Sequence, residues 1–272
     1  MAGEIRILPP DTRGIVRVQL CHRGKRNAMS VRMWHALRTA FVAFQADDTL
    51  RCVLIEGSSV FGEAAFCAGG DISEYPGFRF DPAALRDFHE RAVWGGLSAM
   101  LDCDVPIVAA ISGTCMGAGV EIAACADLRL AGAGARFGAP IARLGFPMAP
   151  REAALVATAV GALTARQMLL EAATFSAAEM AARGFIGTVV GDDELHGAAL
   201  GSARRIAALA PQAARHHKRL LRALLAAPLA AAQALAGQGV QGLPGDDIYA
   251  YANGAEHREG IAAFLAKRTP VF

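Results

Sequence analysis

D-V-P-I-V-A-A-I-S-G-T-C-M-G-A-G-V-E, the stretch that begins at Asp104 and ends at Glu121, decides how this chain is read. An apolar run rich in β-branched residues leads into a turn of small residues, and a helix is expected from Gly117. Working back, F-C-A-G-G-D, from Phe66 to Asp71, has a similar construction after the apolar run 52–55. Small residues in such loops let the backbone approach a ligand closely, and unpaired N–H groups there hold a negative oxygen. Two such loops predict a two-donor oxyanion hole, with Glu121 one helical turn away as acid or base.

The pattern extends in both directions. Residues 5–8 and 15–20 read as strands around a turn, and Ser30 caps a helix that runs to about Gln45 with Met33, Leu37, Phe41 and Phe44 on one face. Residues 52–56, 105–112 and 128–131 read as strands, and helices are expected over 81–102 and 117–126. Further helices are expected over 149–159, 163–171 and 176–183, with a strand over 185–190. From His196 the chain is nearly all helix, rich in Ala and Leu, with a loop at 237–247. This alternation predicts an α/β fold with a mainly parallel sheet and helical crossovers.

Composition narrows the function. In 272 residues, 54 % hydrophobic content supplies a sizeable core, and a net charge of +2 gives no general attraction to nucleic acid or membrane. Cys21, Cys52, Cys67, Cys103, Cys115 and Cys125 show no C-x-x-C spacing and sit in apolar contexts, so reduced buried thiols are expected, with neither disulfides nor a metal site. The first residues carry no apolar signal core and no run of about 18 apolar residues occurs, which predicts a cytoplasmic protein. Gly117-Ala118-Gly119 lacks the third glycine of a dinucleotide fingerprint, since Ile122 stands there, and neither a phosphate loop nor a G-x-S-x-G elbow is present.

The A-G-G-D and G-A-G-x-E elements, in this order, resemble those of the crotonase, or enoyl-CoA hydratase/isomerase, superfamily. The resemblance runs from Arg26-Asn27-Ala28-Met29 to Phe264-Leu265-Ala266-Lys267-Arg268. It implies a crotonase spiral of ββα units over residues 1–195, and a C-terminal helical region over 196–272 that packs a homotrimer or a dimer of trimers. It implies an acyl-CoA thioester as substrate, with CoA part of that substrate and no separate cofactor. The oxyanion donors it implies are the N–H groups of Ala68 and Ala118; alanine at the second position, where the family mostly has glycine, keeps its N–H. Glu121 matches the first of two catalytic glutamates in the family's hydratases. The CoA contacts implied are Lys25, Arg26 and Ala28 along the adenine and phosphates, Ala68, Gly69, Gly70, Asp71 and Ala118 at the loops, and Phe264 and Lys267, which in the family reach a neighbouring subunit's CoA. The broad fold is shared with Clp-type proteases, but no Ser-His-Asp set is evident.

One departure stands out. Where the family's hydratases carry a second glutamate, twenty residues after the first, this chain has Ile141. Loss of one proton-transfer group typically forfeits 10²–10⁴-fold in rate. Weak hydration is therefore expected, with a single base at Glu121 better suited to double-bond isomerisation. The alternative is a non-catalytic acyl-CoA-binding member; decarboxylation and thioester hydrolysis use the same oxyanion hole. The other polar residues take plainer readings. Glu152 reads as a first-turn residue favoured by the helix dipole, and Arg143 as a partner of Glu121, a contact to a polar acyl group or a surface ion pair. His89 and Glu90 read as a solvated helix face, Asp71 and Glu74 as braces of their loop, and the basic run from Arg215 to Arg219 as a solvated helix face without the interleaved aromatics of a nucleic-acid site.

Overall fold

A computed structural model describes residues 2–59, 64–224 and 249–272. The chain opens with β1 (Glu4–Leu8) and β2 (Ile15–Cys21), an antiparallel pair, and α1 (Val31–Ala46), capped by the Ser30 side chain on the Met33 N–H. It then winds in three passes, each giving one strand to each of two sheets. The pairs are β3 (Cys52–Gly57) with β4 (Ala65–Cys67), β5 (Ile107–Ile111) with β6 (Thr114–Met116), and β7 (Leu128–Gly132) with β8 (Arg136–Gly138). With β9 (Thr174–Ser176) and β10 (Thr188–Val190), the larger sheet has the order β1-β2-β3-β5-β7-β10 and the smaller β4-β6-β8-β9. Only β1 on β2 and β9 on β8 run antiparallel. This is the expected spiral. The strands of the smaller sheet went unread because three residues are too few to display a period of two.

Helices separate the passes. After β4 come α2 (Pro82–Asp87), a π-helical segment (Phe88–Val93) and α3 (Trp94–Asp102), which the sequence predicted as one helix; after β6 comes α4 (Ala118–Ala124). α5 (Pro150–Val160), α6 (Ala162–Leu170) and α7 (Ala177–Ala182) follow β8. The central strands are buried on both faces, as parallel strands between helical layers must be. Val53, Ile55, Ile107 and Ala109 pack with Trp34, Leu37 and Phe41 on one side. Cys52, Leu54, Val108 and Ala110 pack with Leu195, Ala199 and Ala203 of α8 (Leu195–Ala207) on the other. All six cysteines are buried and unbridged, and burial pushes the Cys52 and Cys67 thiols up to about 12. No helix among the described residues is long and apolar enough to cross a membrane.

The basic run is a solvated face only in part: His216, His217 and Arg219 are exposed, while Arg215 is buried. In α9 (Pro211–Leu224), buried Arg215 donates to the Asp47 and Leu50 carbonyls at 2.7 and 3.3 Å. Lys218 donates to the Val105 carbonyl at 3.0 Å and pairs with Asp127 at 2.8 Å. Arg219 and Arg222 both pair with buried Asp104, at 2.7 and 2.9 Å. The cations fasten the helix to the ends of the core, leaving Leu220, Leu221 and Leu224 exposed. The last helix, α10 (Ala255–Leu265), packs on the 3₁₀ turns Ile72–Gly77 and Ile141–Leu144 of its own chain. The loop predicted at 237–247 lies outside the described residues.

Burial alone would push the Asp104 carboxyl up, but hydrogen bonds from Arg219, Gln45 and Arg222 outweigh it and hold the group down at about 2. A carboxyl with a depressed folded-state pKa contributes stability that is present above its unfolded value and lost as pH falls toward the folded one. Asp104→Asn should therefore remove about 2 kcal/mol at neutral pH and lower Tm by several degrees, with the deficit shrinking as the pH approaches about 2. An unchanged Tm at neutral pH in a thermal melt would show that these ion pairs do not hold α9.

Candidate active site

The first small-residue loop follows β4 and is tied to the segment after β2. Ala68 donates its N–H to the Arg26 carbonyl at 3.0 Å, Met29 donates to the Gly69 carbonyl at 2.8 Å, and Asp71 donates to the Met29 carbonyl at 2.8 Å. Successive peptide groups in such a ladder face opposite ways. The Gly70 N–H therefore lies on the edge away from Met29, and among the described residues it has no protein acceptor. The donor expected from Ala68 is thus corrected: its N–H is occupied, and the open one belongs to Gly70. Any Cβ at residue 70 would collide with the Tyr75 hydroxyl, which explains glycine there.

The second loop closes on Gly117, whose φ of +48° favours glycine. Gly117 donates to the Gly138 carbonyl at 2.9 Å and precedes Ala118, the first residue of α4. The N–H of a first helical residue has no intrahelical acceptor, and that of Ala118 finds none among the described residues. Ala118 has negative φ, so its Cβ costs nothing. One turn on, Glu121 is buried.

Both loops line one cavity of about 560 Å³. Among the buried ionisable side chains on its wall are Glu121, Glu152, His89 and Arg79. Glu152, in the first turn of α5, meets His89 of the π-helical segment, Nδ1 to Oε1, at 2.7 Å. Burial raises the Glu121 carboxyl well above its ordinary value; the charge of Glu152 adds to the rise and Arg79 opposes it. Burial likewise raises Glu152, against the pull of Arg79, and holds His89 well below its usual range. Both directions favour a neutral pair, in which the Glu152 O–H would donate to Nδ1 and Nε2 would carry the imidazole proton. Two protonatable carboxyls beside two open N–H donors can bind a carbonyl oxygen and move protons at the carbon next to it.

Most of the expected residues meet here. Lys25, Ala28, Ala68, Gly69, Gly70, Asp71, Ala118, Glu121 and Phe264 line the cavity, the last from this chain's own α10, while Arg26 and Lys267 are not on its wall. Lys25 is not a free cation: its Nζ donates to Asp71 at 2.6 and 2.8 Å and to Ser73 at 2.6 Å. Asp71 caps the turn Ile72–Gly77, and Glu74 accepts from the Val31 N–H at 2.9 Å, so both brace the loop as expected. Arg143 is exposed and turns to the Ala172 carbonyl at 3.4 Å rather than to Glu121.

One further reading is overturned: His89 is buried rather than solvated. Glu152 is the expected first-turn residue and also lines the cavity, and Arg79, unremarked in the sequence, supplies a cation near the carboxyls. Ile141 lines the cavity too, so the wall is apolar there, yet the cavity holds a second carboxyl. The sequence signal that was available is Pro150 followed by Glu152: a helix start fixes where a first-turn side chain points.

Burial favours the protonated form of Glu121 in the fold, whereas the unfolded chain sheds that proton near about 4.3. Stability from that source is full below the unfolded value and falls as pH rises toward the folded one. Glu121→Gln should leave Tm close to wild type at about pH 4 and raise it at about pH 8. A shift of equal size at both values, measured by calorimetry, would show that the carboxyl is ionised in the folded protein.

Comparison with known proteins agrees with the geometry. The family model described as Enoyl-CoA hydratase/isomerase matches residues 11–272. A Rhizobium meliloti protein named "Probable enoyl-CoA hydratase" is 32 % identical over 246 residues, covering 90 % of this chain and 89 % of that one. A Proteus mirabilis protein named "Carnitinyl-CoA dehydratase" is 30 % identical over 217 residues, 78 % of each. The crystal structure of an enoyl-CoA hydratase/carnithine racemase from Magnetospirillum magneticum superposes with a TM-score of 0.77 at 33 % identity, covering 98 % of this chain and 94 % of that one. A family match over nearly the whole length, on a spiral whose two loops and buried glutamate meet in one cavity, means that the chain belongs to the enoyl-CoA hydratase/isomerase family.

Proposed function

We propose that the chain is an enzyme acting on acyl-CoA thioesters, with Glu121 as a proton-transfer group. The observation that carries this reading is the convergence of the open Gly70 and Ala118 N–H groups with buried Glu121 on one cavity. The thioester oxygen takes both N–H groups, and each donor contributes roughly 3–4 kcal/mol as negative charge develops on it. Glu121 moves the proton at the α carbon. Glu152, relayed to His89, is the second carboxyl that Ile141 does not provide. This revises the expected weakness of hydration: with two carboxyls, one can activate water while the other delivers a proton. Isomerisation needs only one of them.

Lys25, Arg26, Phe264 and Lys267 remain proposed contacts to CoA, Lys25 by exchanging Asp71 for phosphate. The proposed assembly is a trimer or dimer of trimers built on the C-terminal helices, with the exposed Leu220, Leu221 and Leu224 of α9 among the covered residues, and the proposed location is the cytoplasm. Light scattering at micromolar concentration should give at least three times the chain mass; a stable monomer would sink the assembly.

A panel of enoyl-CoA substrates assayed with wild type, Glu121→Gln and Glu152→Gln tests the chemistry. Turnover should fall by about 10²-fold or more with Glu121→Gln, and hydration should fall further than isomerisation with Glu152→Gln. Turnover untouched by Glu121→Gln would remove that residue from the mechanism. Absent turnover with tight binding in all three proteins would favour a non-catalytic acyl-CoA binder. Ala118→Pro offers a separate check, because proline is tolerated at a first helical position but lacks the N–H. It should lower kcat/KM by about 10²–10³-fold while leaving the far-ultraviolet dichroism intact; undiminished kcat/KM would exclude that donor.

A further inference from the structure

The reaction above makes no use of Arg79, a cation on the cavity wall. Its side chain is fully buried, at 1 % exposure. Its guanidinium lies between the rings of Tyr75 and Phe146, with Cζ 4.2 and 3.8 Å from their centroids. Its Nε donates to Nε2 of His257 at 3.3 Å, and His257 in turn donates from Nδ1 to the Ala252 carbonyl at 3.0 Å. Both faces and the Nε edge are therefore taken. The outer edge is not: Nη1 and Nη2 are buried and have no hydrogen-bond partner. Among the described residues no carboxylate lies within ion-pair distance of Arg79. A second donor on the same wall is also unmet, since Nε2 of His89 is buried without a partner.

A buried cation left unpaired is costly, and folds that bury arginine for structural reasons supply a carboxylate. This fold instead supplies aromatic faces and a neutral imidazole that orient the fork on the cavity wall, and it leaves the two terminal nitrogens buried without a partner. Such a fork matches a carboxylate through two parallel hydrogen bonds.

We propose that the acyl group taken by this cavity carries a free carboxylate, bound by Nη1 and Nη2 of Arg79, so that the substrate class is the CoA monothioester of a short dicarboxylic acid. The proposal rests on the acyl-CoA reading and deepens it. The chain is short because the Tyr75 hydroxyl abuts Gly70, one of the oxyanion donors, while the face of the same ring abuts Arg79. Carbonyl oxygen and carboxylate are thus held about one aromatic ring apart. Charge agrees. Burial favours the neutral forms of Glu121, Glu152, His89 and His257, and Asp71 neutralises Lys25, which leaves Arg79 as the unbalanced charge in the cavity interior. Arg143 is exposed at its rim.

Titration calorimetry on the full-length protein with three saturated, unreactive thioesters tests this: glutaryl-CoA, its neutral terminal amide, and butyryl-CoA. Wild type should bind glutaryl-CoA at least about tenfold tighter than the amide. In Arg79→Met that preference should shrink to about twofold or less, with butyryl-CoA affinity held within about threefold of wild type. Equal affinity of wild type for acid and amide, with butyryl-CoA still bound, overturns the proposal and leaves the acyl-CoA reading standing. A preference that survives Arg79→Met overturns the assignment to Arg79. Failure of wild type to bind any of the three overturns the acyl-CoA reading itself. The comparison of acid with amide needs wild type alone, so it decides even where the variant does not fold.

Discussion

Three backbone hydrogen bonds between residues 26–29 and 68–71 govern the whole site. They hold the Ala68 N–H, the Gly69 carbonyl and the Asp71 N–H against the neighbouring segment, and so turn the peptide between them the other way. The segment can offer those partners only because Arg26 and Asn27 both adopt positive φ, 46° and 59°. Left-handed backbone costs roughly 1 kcal/mol or more per non-glycine residue. Asn27 offsets it. Its side chain accepts from the His22 N–H and donates to the Ser58 and Ala65 carbonyls, satisfying buried backbone groups at both ends of the loop. Asparagine is among the few residues that tolerate this conformation. The direction of the Gly70 N–H is thus set by an asparagine more than forty positions earlier in the chain.

Burial then decides the charges. In water Glu121 and Glu152 would both be ionised at neutral pH. Inside the cavity desolvation favours their neutral forms, and mutual repulsion strengthens the effect on Glu121. Arg79 opposes both rises without approaching either carboxyl closely enough for an ion pair. That arrangement leaves both carboxyls raised above their ordinary values, whereas a direct ion pair with arginine would pin one as a carboxylate and lower its pKa.

Much of this was legible in the sequence. The two small-residue loops, the buried strands before them and the helix carrying Glu121 are local features, and periodicity and composition report local features well. The smaller sheet was not legible, because β4, β6, β8 and β9 are three residues each and are defined by their partners. The site was half legible. Ala118 and Glu121 lie within one contiguous stretch, so their relation follows from helix geometry. Ala68 was misassigned because which N–H is open depends on the pairing with residues 26–29, which no local pattern encodes. His89, Arg79 and Glu152 come from three separate segments, and only the tertiary fold brings them onto one wall. The cations of α9 misled for the same reason: a basic helix reads as solvated until its partners, the Asp104 carboxylate and backbone carbonyls far away in sequence, are seen.

An apolar residue at 141 and a carboxyl at 152 also have a physical logic. Residue 141 begins a 3₁₀ turn on which α10 packs, so the wall there gains from an apolar side chain. Residue 152 lies in the first turn of α5, where the helix dipole favours acceptor groups and the Cβ vector tips back toward the helix start. A carboxyl entering from that side needs a partner once it is buried. The partner comes from the π-helical segment, whose wider turn breaks the regular α-helical register just where His89 must face inward. The stacking of His89 on Tyr249, with centroids 5.8 Å apart, holds the imidazole in that orientation. The irregular helix, the buried histidine and the first-turn glutamate are therefore one device, and each would be a defect without the other two.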